Sequence, residues 1–250
     1  MKGKVALITG ATSGIGRATA HEFAKHGIKL IICGRRKERL EAICEALEKD
    51  TDVFQLNFDV RDKEATFKAM ESIPDEFKPI DILINNAGNA HGLDPIHEGS
   101  IDDWDAMMDI NVKGLLYLSK AIIPDMVERK EGHIINIGSS AGKEVYPKGN
   151  VYCASKHAVL AITVGMRIDL NPFGIRVSSI CPGLVETEFS KVRFKGDDKA
   201  NDVYKGYKAL QAEDIAEIIY FTVSRPPHVT IADMLIFPTA QANSTTINKT

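Results

Sequence analysis

The chain alternates between short apolar runs and longer stretches in which apolar residues recur every three or four positions. Short apolar runs are typical of buried strands, and the longer period is typical of helices that cover them. The runs predict strands at residues 5–8, 28–33, 53–58, 80–84, 133–137, 175–180 and 234–237. The amphipathic stretches predict helices at 14–26, 37–49, 103–129, 152–170 and 212–223, the third bent at Pro124. This alternation indicates an α/β fold with one doubly wound parallel sheet and helices on both faces.

A single domain over residues 1–250 accounts for the pattern, because this length suits one large α/β domain and is short for two. The sequence has no linker, internal repeat or low-complexity stretch before a polar tail at 243–250. We expect this tail to fray, with a subunit contact as the alternative.

Charge and composition narrow the class of protein. The net charge of -3 offers no electrostatic argument for binding nucleic acid or an acidic membrane. No apolar run approaches the roughly 20 residues that span a bilayer, and the first strand leaves no room for a signal peptide before it. The four cysteines form no C-x-x-C pair and the seven histidines form no H-E-x-x-H motif, so we expect free thiols and no catalytic metal. A cytoplasmic enzyme is expected.

A glycine-rich turn follows the first strand. Its glycines are spaced G-x-x-x-G-x-G over Gly10, Ala11, Thr12, Ser13, Gly14, Ile15 and Gly16. Glycine allows the backbone to approach a pyrophosphate, and the free N–H groups of the following helix attract phosphate. The spacing differs from the G-x-G-x-x-G fingerprint, but its position between a strand and a helix predicts a dinucleotide cradle.

The end of the second strand bears on the choice of cofactor. A carboxylate there would bind the ribose 2′-hydroxyl of NAD, whereas this chain has Gly34 followed by Arg35 and Arg36. Two guanidinium groups suit a 2′-phosphate, and the hydroxyls of Thr12 and Ser13 can add contacts. We therefore predict NADP; the alternative is that both arginines are solvated residues of the helix start.

Residues after the later strands are candidates for the rest of the cofactor site. Asp59, before Val60, either accepts from the adenine amino group or caps the following helix. The segment Asn86, Ala87 and Gly88 lets the chain pass close to the ribose. Pro182 and Gly183 form a turn under the nicotinamide, and Thr187 can hold its carboxamide.

Tyr152 and Lys156 are four residues apart at the start of a predicted helix, so they share one face. We expect the ammonium to lower the tyrosine pKa, which makes the phenol a usable acid and base. Ser139 can hydrogen-bond the substrate oxygen; its neighbour Ser140 is the alternative. Asn111 can bind a water that connects Lys156 to solvent. With a cofactor turn at the front, this set predicts hydride chemistry on an alcohol or carbonyl.

These motifs together resemble the short-chain dehydrogenase/reductase superfamily, a Rossmann-type fold. The matching residues are 9–16, 59–60, 85–88, 111, 139, 152–156 and 182–183. The resemblance implies catalytic roles for Asn111, Ser139, Tyr152 and Lys156, with Tyr152 and Lys156 also touching the cofactor. It extends the cofactor site to Val185.

A narrower resemblance, carried by residues 34–40, 182–190, 192–198, 227–229 and 238–241, is to the NADP-dependent 3-hydroxy acid dehydrogenases. It implies oxidation of small 3-hydroxy acids such as serine or allo-threonine, or reduction of malonic semialdehyde, and homotetramers built from the two long helices. Arg193 is our candidate for the substrate carboxylate, and Lys143 competes with it.

Two other functions stay open from the sequence. One is a reductase of the same superfamily acting on another carbonyl, such as a 3-ketoacyl carrier, a steroid or a sugar. The other is a regulator that binds NADP without turnover, although such proteins usually lose the Tyr or Lys that this chain keeps.

Overall fold

A computed structural model describes residues 1–196 and 199–249, and Asp197, Asp198 and Thr250 lie outside that range. Within the described residues, seven parallel strands form one sheet in the order β3-β2-β1-β4-β5-β6-β7. The strands are β1 (Val5–Thr9), β2 (Lys29–Gly34), β3 (Val53–Asn57), β4 (Ile82–Asn85), β5 (His133–Ile137), β6 (Arg176–Pro182) and β7 (Asp233–Ile236). The predicted fold class is confirmed, and each strand boundary lies within two residues of its predicted place.

The helices are α1 (Gly14–Lys25), α2 (Lys37–Leu47), α3 (Lys63–Glu71), α4 (Ile101–Met108), α5 (Leu115–Arg129), α6 (Asn150–Leu170), α7 (Phe189–Arg193), α8 (Lys199–Asp202) and α9 (Ala212–Val223). Short 3-10 turns cover Asp75–Phe77, Ser140–Gly142 and Asn171–Phe173. Within residues 1–196 and 199–249, every helix is too short or too polar to cross a membrane.

The long helix predicted at 103–129 is divided differently from the prediction. Between α4 and α5 the chain forms a π-helix over Asp109–Gly114, while α5 continues through Pro124. The interruption therefore lies at the π-helix and not at the proline. Such π segments often occur at functional sites, and this one contains Asn111.

Both faces of the sheet are covered, as a parallel sheet requires. On one face α1, α2 and α9 pack with residues such as Phe23, Leu40 and Ile219. On the other face the side chains include Leu118 and Met126 of α5. Burying both faces leaves the carboxyl ends of the strands as the place where polar side chains can meet a ligand.

Residues 243–249 of the polar tail do not fray as predicted. Gln241 pairs with Ile247 in an isolated antiparallel bridge, and the backbone N–H of Asn248 donates to the Ala240 carbonyl at 2.8 Å. The N–H of Ser244 donates to the Glu144 carboxylate at 2.8 Å. A local turn and the distant Glu144 carboxylate supply these partners, so polarity alone was a poor guide to order here.

Candidate active site

A cavity of about 740 Å³ opens at the carboxyl ends of the strands. Its lining includes Gly10 after β1, Asn86 after β4, Ser139 after β5 and Pro182 at the end of β6. The strand order reverses direction between β1 and β4, which is where ligands bind in open parallel sheets. The predicted cofactor and catalytic segments therefore meet around one cavity.

The glycine turn is closed by direct contact with the segment after β4. A Cβ on Gly16 would lie 2.4 Å from the Asn86 Nδ2 and 2.5 Å from the Gly10 carbonyl oxygen. The Asn86 amide donates to the Thr9 carbonyl at 2.8 Å, and the Thr9 hydroxyl accepts from the Ala87 N–H at 2.9 Å. Only glycine fits at position 16, because any side chain would force these two segments apart.

Arg36 is held at the edge of the cavity beside the glycine turn. Its Nη2 donates to the Thr12 hydroxyl at 3.0 Å and to the Ser13 hydroxyl at 2.8 Å. Its Nη1 donates to the Glu188 carboxylate at 2.9 Å. The Arg36 guanidinium and the Thr12 and Ser13 hydroxyls, all predicted to contact a 2′-phosphate, therefore lie together. The third partner of Arg36, Glu188, was not predicted.

Arg35 is held more loosely. Its Nη1 lies 3.4 Å from an Asp59 carboxylate oxygen. The same carboxylate accepts a hydrogen bond from the Arg61 Nη2 at 2.7 Å. These guanidinium groups hold the Asp59 pKa below its ordinary value, although burial opposes the shift most strongly. The helix-cap alternative for Asp59 is wrong: Asp62 is the N-cap of α3 and accepts from the Ala65 N–H at 2.9 Å.

Tyr152, Lys156 and Ser139 all line the cavity. The Ser139 side chain acts on the Tyr152 phenol and opposes the rise in pKa that burial causes there, and the Ser139 hydroxyl accepts from the Ala141 N–H at 3.1 Å. Ser140 lines the cavity and opens the 3-10 turn. Because Ser139 and not Ser140 acts on the pKa of the Tyr152 phenol, Ser139 is the better candidate for the partner of the substrate oxygen.

Lys156 and Asn111 lie close to each other, because a Cβ on Gly88 would approach both side chains. The Lys156 ammonium donates to the Ile137 carbonyl at 2.9 Å. The Asn111 amide oxygen accepts from the Asn89 N–H at 2.9 Å, and its Nδ2 donates to the Asn89 carbonyl at 2.9 Å and the Ser155 hydroxyl at 3.0 Å. Asn111 therefore fixes the backbone of Asn89, and its predicted water contact stays a prediction.

Burial dominates the acid–base properties of this end of the site. It raises the pKa of Tyr152 above its ordinary value, with the Ser139 hydrogen bond and the Arg193 charge opposing the rise. Burial also lowers the pKa of Lys156 to about 8. The predicted lowering of the Tyr152 pKa by Lys156 is not observed in this state, because the ammonium is directed to the Ile137 carbonyl.

Arg193 projects from the end of α7 over the Tyr152 ring. The centre of its guanidinium lies 5.5 Å from the ring centroids of both Tyr146 and Tyr152. It donates to the Gly92 carbonyl at 3.0 Å and to the Tyr146 hydroxyl at 2.9 Å. Lys143, the alternative, forms an ion pair with Asp233 instead and is not among the cavity-lining residues that the structure describes.

The turn after β6 and the C-terminal segment close the remaining wall. The Gly183 N–H donates to the Ile236 carbonyl at 2.7 Å, and a Cβ there would lie 2.3 Å from the Gln241 amide oxygen. Thr187 packs on Gly14, where a Cβ would lie 3.3 Å from the Thr187 side chain.

Lining residues that were not predicted from the sequence include Asn89, Glu188, Phe189, Gln241, Ser244 and Ile247. Asn89 carried a signal because it directly follows the Asn-Ala-Gly segment, and Glu188, Phe189 and Gln241 lie in stretches that carry the narrower resemblance.

Comparison with known protein families decides the broader assignment. The family model described as short chain dehydrogenase matches residues 4–198. The chain belongs to this family. It is 46% identical over 240 residues to the NADP-dependent 3-hydroxy acid dehydrogenase of Salmonella typhi, a match that covers 95% of this chain and 96% of the relative. It is 42% identical over 240 residues to sulfoacetaldehyde reductase 2 of Chromohalobacter salexigens, covering 95% of each.

Solved structures agree with this family assignment. The closed form of a serine dehydrogenase complexed with NADP+ superposes with a TM-score of 0.92 at 45% identity, covering 96% of this chain and 97% of that one. The predicted resemblances to the superfamily and to its 3-hydroxy acid dehydrogenase branch are therefore confirmed, and the chain is an oxidoreductase.

Proposed function

We propose that the protein is an NADP-dependent dehydrogenase that oxidises the 3-hydroxyl of small 3-hydroxy acids and reduces the matching 3-oxo acids. The observation that supports an acidic substrate is the Arg193 guanidinium, half-buried and 5.5 Å from the Tyr152 ring centroid. A cation at this distance can bind a carboxylate while the hydroxyl on a nearby carbon reaches the phenol.

The residues present fit the NADP cofactor. The glycine turn offers backbone N–H groups at the start of α1 for the pyrophosphate, and Arg36, Thr12 and Ser13 offer donors for the 2′-phosphate. A Cβ on Gly88 would lie 2.8 Å from the Asn111 amide oxygen and 3.6 Å from the Lys156 ammonium. Glycine at this position therefore leaves space for the ribose beside Lys156. Bound NADP supplies the hydride acceptor, and NADPH the donor.

The chain's own residues move the proton. In oxidation the Tyr152 oxygen takes the hydroxyl proton, and in reduction it returns that proton. The Ser139 hydroxyl holds the substrate oxygen, and the Lys156 ammonium stabilises the phenolate once it forms. Burial of the tyrosine disfavours phenolate in the free protein, so the phenol is primarily an acid until a positive charge or hydrogen bond is added beside it.

A substrate panel tests the proposal. NADP and NAD are compared against L-serine, L-allo-threonine, 3-hydroxyisobutyrate, 3-hydroxypropionate and malonic semialdehyde. Sulfoacetaldehyde is the second candidate, because a guanidinium binds a sulfonate as it does a carboxylate and one relative bears that name. Turnover of neutral ketones or sugars alone would favour another carbonyl reductase, and tight NADPH binding without any turnover would favour the regulator.

Arg193→Ala sharpens this panel. We expect the KM for 3-hydroxy acids to rise by about 10-fold or more, the effect of losing a charged hydrogen bond, with a smaller change for a neutral secondary alcohol. Lys143→Ala is the matched control, because it removes a cation that faces Asp233. Equal effects of Arg193→Ala on acid and neutral alcohol would contradict the role of Arg193.

A homotetramer in the cytoplasm completes the proposal. Leu116 of α5 and Val164 and Ile168 of α6 expose apolar side chains, and a partner that covers these two helices would bury them. Light scattering at several concentrations measures the subunit number; a monomer throughout would contradict the proposal. The cytoplasmic location stays a prediction.

A further inference from the structure

Glu188 connects two parts of the chain that lie about 150 residues apart in sequence. Its carboxylate accepts from the Arg36 Nη1 at 2.9 Å and from the Arg39 Nη1 at 2.8 Å on both oxygens. Arg36 and Arg39 belong to the start of α2, whereas Glu188 precedes α7. These bonds cross the cofactor end of the cavity and join its two rims.

The bridge is anchored firmly on the α2 side. Arg36 uses its remaining donors on the Thr12 and Ser13 hydroxyls of the glycine turn. Glu188 is therefore tied to the turn through a guanidinium whose position is already fixed. The Glu188 pKa is lowered, first by the Arg36 hydrogen bond and then by Arg39, so the carboxylate is charged at neutral pH.

The other side of the bridge leads directly to the reacting groups. Glu188 is the N-cap residue of α7, and Arg193 is the last residue of that five-residue helix. The Phe189 ring packs 5.7 Å from the Tyr152 ring, centroid to centroid. A helix this short transmits a shift at its first residue to its last.

We propose that Glu188 is a positioning residue: by bridging Arg36 and Arg39 it fixes α7, and with it the Arg193 guanidinium, over Tyr152. Arg36, which we propose as a partner of the cofactor 2′-phosphate, then also holds the segment that faces the substrate. The catalytic part of this inference rests on the proposed function, whereas the structural part does not.

Hydrogen–deuterium exchange on the cofactor-free protein tests the structural part. The probes are the α7 amides, including the Val192 N–H, which donates to the Glu188 carbonyl at 3.0 Å. In Glu188→Gln we expect these amides to exchange up to about fivefold faster, the range for a partly exposed ion pair. The control is Glu186→Gln, which neutralises an exposed carboxylate in the same loop. That carboxylate accepts a hydrogen bond from the Gln211 side chain and not from an arginine. Unchanged exchange in Glu188→Gln, or equal changes in both variants, would overturn the proposal.

Kinetics tests the catalytic part. Glu188→Gln and Arg39→Met should each raise the KM for 3-hydroxy acids by about three- to fivefold, and the double variant should be no worse than either single one. The KM for a neutral alcohol should change less. Additive effects, or a loss of kcat alone, would contradict a positioning role. If the wild-type protein turns over no hydroxy acid, the proposed function fails, and the exchange comparison still decides whether Glu188 fixes α7.

Discussion

The two ends of the cavity bind their ligands by different physical means. At the catalytic end Tyr152 and Lys156 are only 8% and 6% exposed, and burial displaces the pKa of both. At the cofactor end the Arg35 and Arg36 side chains are 49% and 41% exposed and keep water around their charges. Proton transfer needs the buried environment of the catalytic end, because a small structural change in a buried site shifts the pKa of its groups. Recognition of a phosphate needs only the exposed environment of the cofactor end, where several cations can contact the phosphate together.

The largest expected effect is at the buried end. Tyr152→Phe keeps the ring and its packing against Phe189 but removes the oxygen that we propose as the proton carrier. We expect kcat to fall by about 10²–10⁴-fold, with NADPH binding and the thermal midpoint nearly unchanged. Stopped-flow measurement of hydride transfer checks this. A variant as fast as the parent would abolish the distinction between the two ends.

A middle-sized effect is expected at the exposed end, and it should differ between the two arginines. Arg36→Ala should raise the KM for NADP about 10-fold, because Arg36 is fixed by Thr12 and Ser13, while Arg35→Ala should have a smaller effect. Both losses should shrink at high salt, since exposed charges are screened. The KM for NAD serves as the control and should not rise.

An acid at position 34 is a poor substitute for these variants. A Cβ on Gly34 would lie 2.4 Å from the Thr12 Cγ2, so Gly34→Asp would displace the glycine turn as well as add charge. Equal KM values for NADP in Arg35→Ala and Arg36→Ala would show that net charge alone decides selection.

The smallest expected effect concerns the pH dependence of stability at a buried histidine. His133 lies at the start of β5, at the opposite end of that strand from Ser139, and burial, followed by the charge of Arg176, lowers its pKa to about 3. The unfolded chain takes up a proton near the ordinary value of 6.5 and the folded chain does not, so stability falls as pH drops below that value. Between about pH 7.5 and about pH 6 the loss attributable to His133 is about 0.8 kcal/mol.

Urea unfolding at both pH values measures this loss, with His133→Asn as the comparison. The variant is expected to show a flatter pH dependence than the parent whatever its absolute stability. Identical slopes would mean that His133 binds protons equally in the folded and unfolded chains, and that burial at this site does not act as it does at Lys156.

Much of the fold could be predicted because the sheet is built from local apolar runs. Several features could not, among them the short helices α7 and α8. Helix α3 was missed because Thr66 is its one fully buried residue, so it lacks a continuous apolar face. The π-helix at Asp109–Gly114 was missed because adding a residue to one turn barely alters the apolar period.

The candidate site divides in the same way. The glycine turn and the Tyr152–Lys156 pair are encoded by neighbours in sequence and were predicted. The Glu188 bridge and the Lys143–Asp233 ion pair join distant residues, and nothing local signals them. The direction of the Lys156 ammonium depends on the Ile137 carbonyl, and helical spacing alone does not contain that information.

The contact between the glycine turn and Asn86 has a consequence for how the chain reaches its native state. The turn is held by residues more than 70 positions later, so β4 must pair beside β1 before a cradle for phosphate exists. Long-range pairing of this kind is slow to form. Nucleotide therefore cannot template the first 60 or so residues on their own; it can only capture a chain whose central sheet has already assembled.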